Sequence, residues 1–86
     1  MARKTLIKTH IGQFTYSFTT SEINHEENGT VTVYGIDIQG TDSSAYIEDI
    51  SNSKKDVLRL YNLICEGELY PVHLYDVAED FLSSWT

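Results

Sequence analysis

The chain is short of the residues that staple, break or anchor a protein. It has one cysteine, one proline, five glycines, six lysines and arginines against thirteen acids, and no apolar run of membrane-spanning length. Each scarcity excludes a class. A single cysteine, Cys65, leaves no intrachain disulfide, so packing must hold the fold, and a reducing compartment suits it. So little proline and glycine argues against a disordered or low-complexity chain. The formal charge of −7 opposes the phosphate contacts that nucleic-acid or anionic-lipid binding requires, so neither partner is expected. Met1 to His10 carries Arg3, Lys4 and Lys8 but no apolar core of a secretory signal, so a cytoplasmic location without membrane contact is expected. Phosphate-binding loops, dinucleotide fingerprints, serine elbows and basic aromatic platforms are all missing. These gaps point away from an enzyme, and no cofactor is expected.

What is present organises around the C-terminal stretch from Pro71 to Trp85. Leu74, Val77, Ala78, Phe81, Leu82 and Trp85 recur at the spacing of one apolar stripe on a helix. Pro71 suits a first helical turn, where its missing N–H has no partner to lose. Asp76, Glu79 and Asp80 take the wet side. Burial of each large apolar side chain contributes roughly 1.5 to 3 kcal/mol, so this helix is expected to be structural.

The chain before it, read in order, changes period once. Phe14, Tyr16 and Phe18 alternate with small polar residues, which predicts a strand with one apolar face. Upstream, residues 1–12 form either a loose arm or an extra short strand over Thr5 to His10, with Ile11, Gly12 and Gln13 as a bend. Asn28 and Gly29 suit a hairpin turn into a second strand, Thr30 to Gln39, with Tyr34, Ile36 and Ile38 on one side and Val31 and Val33 on the other. Gly35 interrupts it, marking a bulge or a close approach by another group. Ala45 to Ile50 is a third strand. From Ser51 the period becomes 3.6: Ser53 and Asp56 resemble a capping box, Val57, Leu60, Tyr61 and Ile64 form a stripe, Leu58 and Cys65 flank it, and Gly67 is placed for a left-handed cap. The expected fold is one α+β domain over 1–86: a three-stranded antiparallel meander, with a fourth N-terminal strand if residues 5–10 pair, and two amphipathic helices on one face. Its core is expected at Tyr34, Ile36, Ile38, Val57, Leu60, Ile64, Leu74, Val77, Phe81 and Leu82.

Candidate sites are few. The acids Asp76, Glu79 and Asp80 are near enough along a helix to share a cation, but such runs are usually a solvated face. Cys65 and His73 lack the third orienting residue of a nucleophilic pair, and His10, His25 and His73 match no zinc spacing, so no catalytic or metal site is expected. The six tyrosines suit core margins first and an interface second.

The segments Tyr34-Gly35-Ile36, Ile47-Glu48-Asp49-Ile50-Ser51 and Pro71 to Leu82 resemble a small domain-of-unknown-function family from clostridia and related Firmicutes. The resemblance spans about Phe14 to Leu82 and implies a bacterial cytoplasmic protein with no assigned activity, cofactor or catalytic residue. The leading expectation is therefore a non-enzymatic interaction or regulatory module with an unidentified protein partner. Its contact surface would be either the sheet face not covered by the helices or the unpaired edge of the first strand at Phe14, Tyr16 and Phe18, where a homodimer would also join. The competing reading is a small-molecule binding protein or cryptic enzyme with a pocket near Gly35, Tyr61 and His73. Mimicry of nucleic acid by an acidic surface ranks last, because the acids are scattered.

Overall fold

The computed structural model describes residues 3–27 and 29–83; Asn28 of the expected turn and Trp85 of the expected stripe lie outside them. Four strands, β1 (Lys4–Ile11), β2 (Phe14–His25), β3 (Gly29–Gln39) and β4 (Ser44–Ser51), precede α1 (Lys54–Glu66), a 3-10 turn (Pro71–His73) and α2 (Leu74–Ser83). The strands form one antiparallel sheet in the order β1-β2-β3-β4.

The segment Thr5 to His10, undecided between strand and arm, is strand. Gly12 makes the turn: Ile11 pairs with Phe14 across a two-residue loop, and Gly12 takes φ +59, which L side chains avoid. This pairing corrects the expected edge. Phe14 to Thr20 is flanked by β1 on one side and β3 on the other, so Phe14, Tyr16 and Phe18 present no free strand edge.

Period-two alternation sets the core. Tyr16 sits opposite Ile38 and Phe18 opposite Ile36, and these four join Ile50, Val57, Leu60, Tyr61, Ile64, Leu74 and Ala78 in one buried cluster. Both helices contribute to it, so they share a face of the sheet. Phe18 stacks on Tyr34 with centroids 5.8 Å apart and meets Tyr61 at a tilt. Tyr34, Val77 and Phe81 are half-buried against the cluster. Leu82, expected inside, is 39% exposed, because the buried line through Leu74 and Ala78, with Val77 and Phe81 beside it, leaves Leu82 on the flank.

Gly35 has a packing reason. Between Tyr34 and Ile36 the register shifts, with Ile47 opposite Ile36 and Ser51 opposite Tyr34, so β4 bulges. A Cβ at Gly35 would collide with the Ile47 carbonyl oxygen and lie 2.6 Å from that of Glu48.

The helix ends depart from expectation in detail. Ser53 Oγ accepts from the Asp56 N–H at 3.3 Å, but the Ser53 N–H donates to Ser51 Oγ at 3.1 Å, a role the shorter Asp56 side chain does not fill. At the other end Gly67 is right-handed (φ −85) and Glu68 takes the left-handed position (φ 49). The Leu69 N–H donates to the Ile64 carbonyl at 3.1 Å and that of Glu68 to Cys65 at 3.2 Å, a Schellman ending shifted one residue past the glycine. Pro71 does open the closing helical segment, as the first residue of a 3-10 turn rather than of the α-helix itself.

Candidate binding groove

The two helices grip the sheet unequally. On α1 the Tyr61 hydroxyl donates to the Tyr16 carbonyl at 2.8 Å and shares a hydroxyl–hydroxyl bond of 2.9 Å with Thr9 Oγ1, so this helix is tied to β1 and β2. Tyr16 Oη donates to the Leu69 carbonyl at 2.9 Å and fixes the exit from α1. α2 reaches the sheet through its first turns, where Leu74 is buried and Tyr75 Oη donates to the Tyr46 carbonyl at 3.0 Å. Between the helices an open groove of about 430 Å³ remains, lined by Leu60, Leu63, Ile64, Gly67, Leu69, Val77, Asp80 and Phe81.

Its lining is apolar apart from one carboxylate, Asp80. Leu63 on its rim is 54% exposed and extends the apolar lining out to solvent. Glu66 and Glu68 flank Gly67 at one end, both exposed, and Asp76 stands one turn before Asp80 on α2.

The residues singled out from sequence fall elsewhere. Gly35 faces the β4 backbone, Tyr61 is locked in the core at 2% exposure, and His73 is exposed on the 3-10 turn; neither Gly35, Tyr61 nor His73 lines the groove. Burial pushes the Tyr61 hydroxyl up to about 12; the Thr9 hydroxyl pulls the other way. Burial also raises the Cys65 thiol, against an opposing pull from the Tyr61 and Thr9 hydroxyls, so thiolate is scarce near neutrality. Tyr16 is raised for the same first reason. Asp76, Glu79 and Asp80 are exposed, and among the described residues no group of three or more His, Cys, Asp or Glu gathers to hold a metal ion. His10 Nδ1 is 3.0 Å from Thr15 Oγ1.

Two features were missed. Asp37 on β3, 6% exposed, is the buried acid of the sheet: Gln39 Nε2 donates to it at 2.7 Å, and Arg3 lies 3.7 Å away while its guanidinium covers the Tyr46 ring at 4.5 Å. Each carboxylate oxygen thus has a partner, and the Arg3 contact reaches Asp37 from the residue just before β1. The groove residues Leu63 and Leu69 were missed too, although Leu63 follows Leu60 at helical spacing and widens the apolar arc beyond one stripe.

Among the described residues no helix is long and apolar enough to cross a membrane. A family model described as a family of unknown function, DUF6514, matches residues 2–84. No curated protein and no solved structure matches the chain.

Proposed function

The chain belongs to DUF6514, a family of unknown function, and on that premise we propose that it is a non-enzymatic protein–protein interaction or regulatory module that docks its partner between α1 and α2. The supporting observation is the make-up of the groove: six apolar side chains and a glycine against one carboxylate, with Leu63 left 54% exposed. Covering such a surface contributes roughly 25 cal/mol per Å² of apolar area removed from water. A catalytic pocket needs several convergent polar groups, and Asp80 alone supplies none of the pairings that acid–base or nucleophilic chemistry uses. A bacterial cytoplasmic setting belongs to this proposal and draws on the single free cysteine.

One observation favours the second reading, a small-molecule binding protein: a volume of about 430 Å³ suits a small ligand. The two readings separate by capture from host lysate on wild-type protein and on Leu63→Lys, with equal thermal melts required of both. A single protein held stoichiometrically by the wild type and lost by the variant supports the module. A defined metabolite held by the wild type and lost by the variant replaces it with the pocket.

A homodimer through a sheet edge is a secondary proposal, and the edge strand β1 would carry it, where Leu6 and Ile7 are 38% and 40% exposed. Lys4 and Lys8 on the same strand work against it, since lysines on an edge discourage strand addition. Sedimentation as a monomer at high micromolar concentration removes it.

A further inference from the structure

We infer that the groove takes a basic amphipathic α-helix, an inference that rests on the groove being the docking surface. Two observations select that occupant.

Shape comes first. The walls of the groove are helix ridges, Leu60, Leu63, Ile64 and Gly67 on α1 and Val77, Asp80 and Phe81 on α2, spaced three and four residues apart. A third helix presents ridges of the same spacing and packs into such a trough, with Gly67 permitting close approach. An extended segment would instead need free backbone N–H and C=O groups along its length, and the walls spend theirs inside the helices.

Charge comes second. From Leu60 to Ser83 the chain carries five acids, Glu66, Glu68, Asp76, Glu79 and Asp80, and no lysine or arginine. Neither α1 nor α2 has a basic residue in its last turn, so no cationic side chain there offsets the partial negative charge of the α1 C-terminus beside Gly67. Lysines or arginines flanking the apolar face of the incoming helix would meet Glu66, Glu68 and Asp80 at the rim, which speeds encounter and fixes register.

The alternatives fail on the same observations. A second copy of this chain docking groove to groove would oppose acid rim to acid rim. A lipid acyl chain or fatty acid would find no base in the lining for its headgroup.

The test uses the full chain labelled with ¹⁵N and three synthetic helical peptides. One carries leucines at i, i+4 and i+7 with lysine flanks, one the same leucines with glutamate flanks, and one the lysines with the leucines scrambled. The inference expects the first peptide to shift the amides of Leu63, Gly67, Leu69 and Asp80, and to bind at least about tenfold more tightly than either control at low salt. Asp80→Lys should weaken the lysine peptide and strengthen the glutamate peptide while leaving the melt unchanged. Equal binding of the lysine and glutamate peptides in the groove overturns the basic partner but leaves the interaction module standing. Equal binding by the scrambled peptide, or shifts confined to residues outside the groove, overturns the inference. Binding that appears only after Trp85→Ala overturns it in favour of the chain's own C-terminus as occupant. Failure of all three peptides, with the same amides shifted by an uncharged fatty alcohol, overturns the module reading as well.

Discussion

α1 and α2 are built from similar apolar patterns, yet they are held very differently. α1 begins on a side-chain cap from Ser53, ends in a Schellman motif and buries Val57, Leu60, Tyr61 and Ile64. α2 follows a 3-10 turn whose leading residue, Tyr70, makes no side-chain cap, and it buries only Leu74 and Ala78. Local sequence strength and tertiary attachment coincide on α1 and are both modest on α2. The groove is the consequence: Val77 and Phe81 turn toward a space that α1 borders but does not fill.

Leucine-to-alanine substitution on each helix breaks this comparison most directly. Leu60 is 1% exposed and Leu82 is 39% exposed. Leu60→Ala should destabilise the protein by about 2–5 kcal/mol, the range for a buried leucine, whereas Leu82→Ala should stay within about 1 kcal/mol. Urea unfolding measures both, and equal losses would mean that the two helices are equally packed.

Tyrosine hydroxyls give the next contrast. Tyr61→Phe keeps the ring but loses the hydroxyl's bonds to the Tyr16 carbonyl and Thr9 Oγ1, for a loss of about 1–3 kcal/mol; Tyr75→Phe, at one exposed bond, should lose under about 1 kcal/mol. The same burial makes a pH prediction. The folded protein holds the Tyr61 proton up to about 12, above its ordinary value of 10.0, so folded chains keep a proton that unfolded chains lose. The stability this represents is complete below pH 10 and falls as pH rises from there toward 12. Tyrosinate absorbance should show Tyr61 ionising only with unfolding, and its early, reversible ionisation in the folded state would contradict the closed core.

Much of this architecture is legible in the residues, and the illegible parts share a cause. The alternation of Phe14, Tyr16 and Phe18 and the stripe from Val57 to Ile64 are local patterns, and both survive in the fold. β1 is obscured because its register shifts between Thr5 and Ile7, so Leu6 and Ile7 stand side by side instead of alternating. With β1 hidden, β2 reads as an edge. The groove depends on how far two helices stand apart, which no local period encodes; only the surplus apolar residue Leu63 hints at it. Gly35 shows a local oddity whose partner, the bulged β4 backbone, is remote.

The capped start of α1 sharpens the comparison by a smaller amount. Ser53→Ala removes the acceptor for the Asp56 N–H and should lower stability by about 1 kcal/mol, read as a shift in the urea midpoint at unchanged slope. A shift indistinguishable from zero would mean that α1 is held by its packed face alone.

Glu68→Gly should move stability the other way by the smallest margin. Glu68 holds φ 49 to close the Schellman ending, a conformation that crowds its Cβ, and glycine relieves that crowding at the price of a looser unfolded chain. The net gain should be about 0.5–1 kcal/mol, with the Leu69-to-Ile64 hydrogen bond intact. The same substitution removes an acid that stands between the groove residues Gly67 and Leu69. If the rim charge recruits a basic helix, Glu68→Gly will make the protein more stable and its lysine-flanked peptide weaker at once, a divergence that a purely structural role for Glu68 cannot produce.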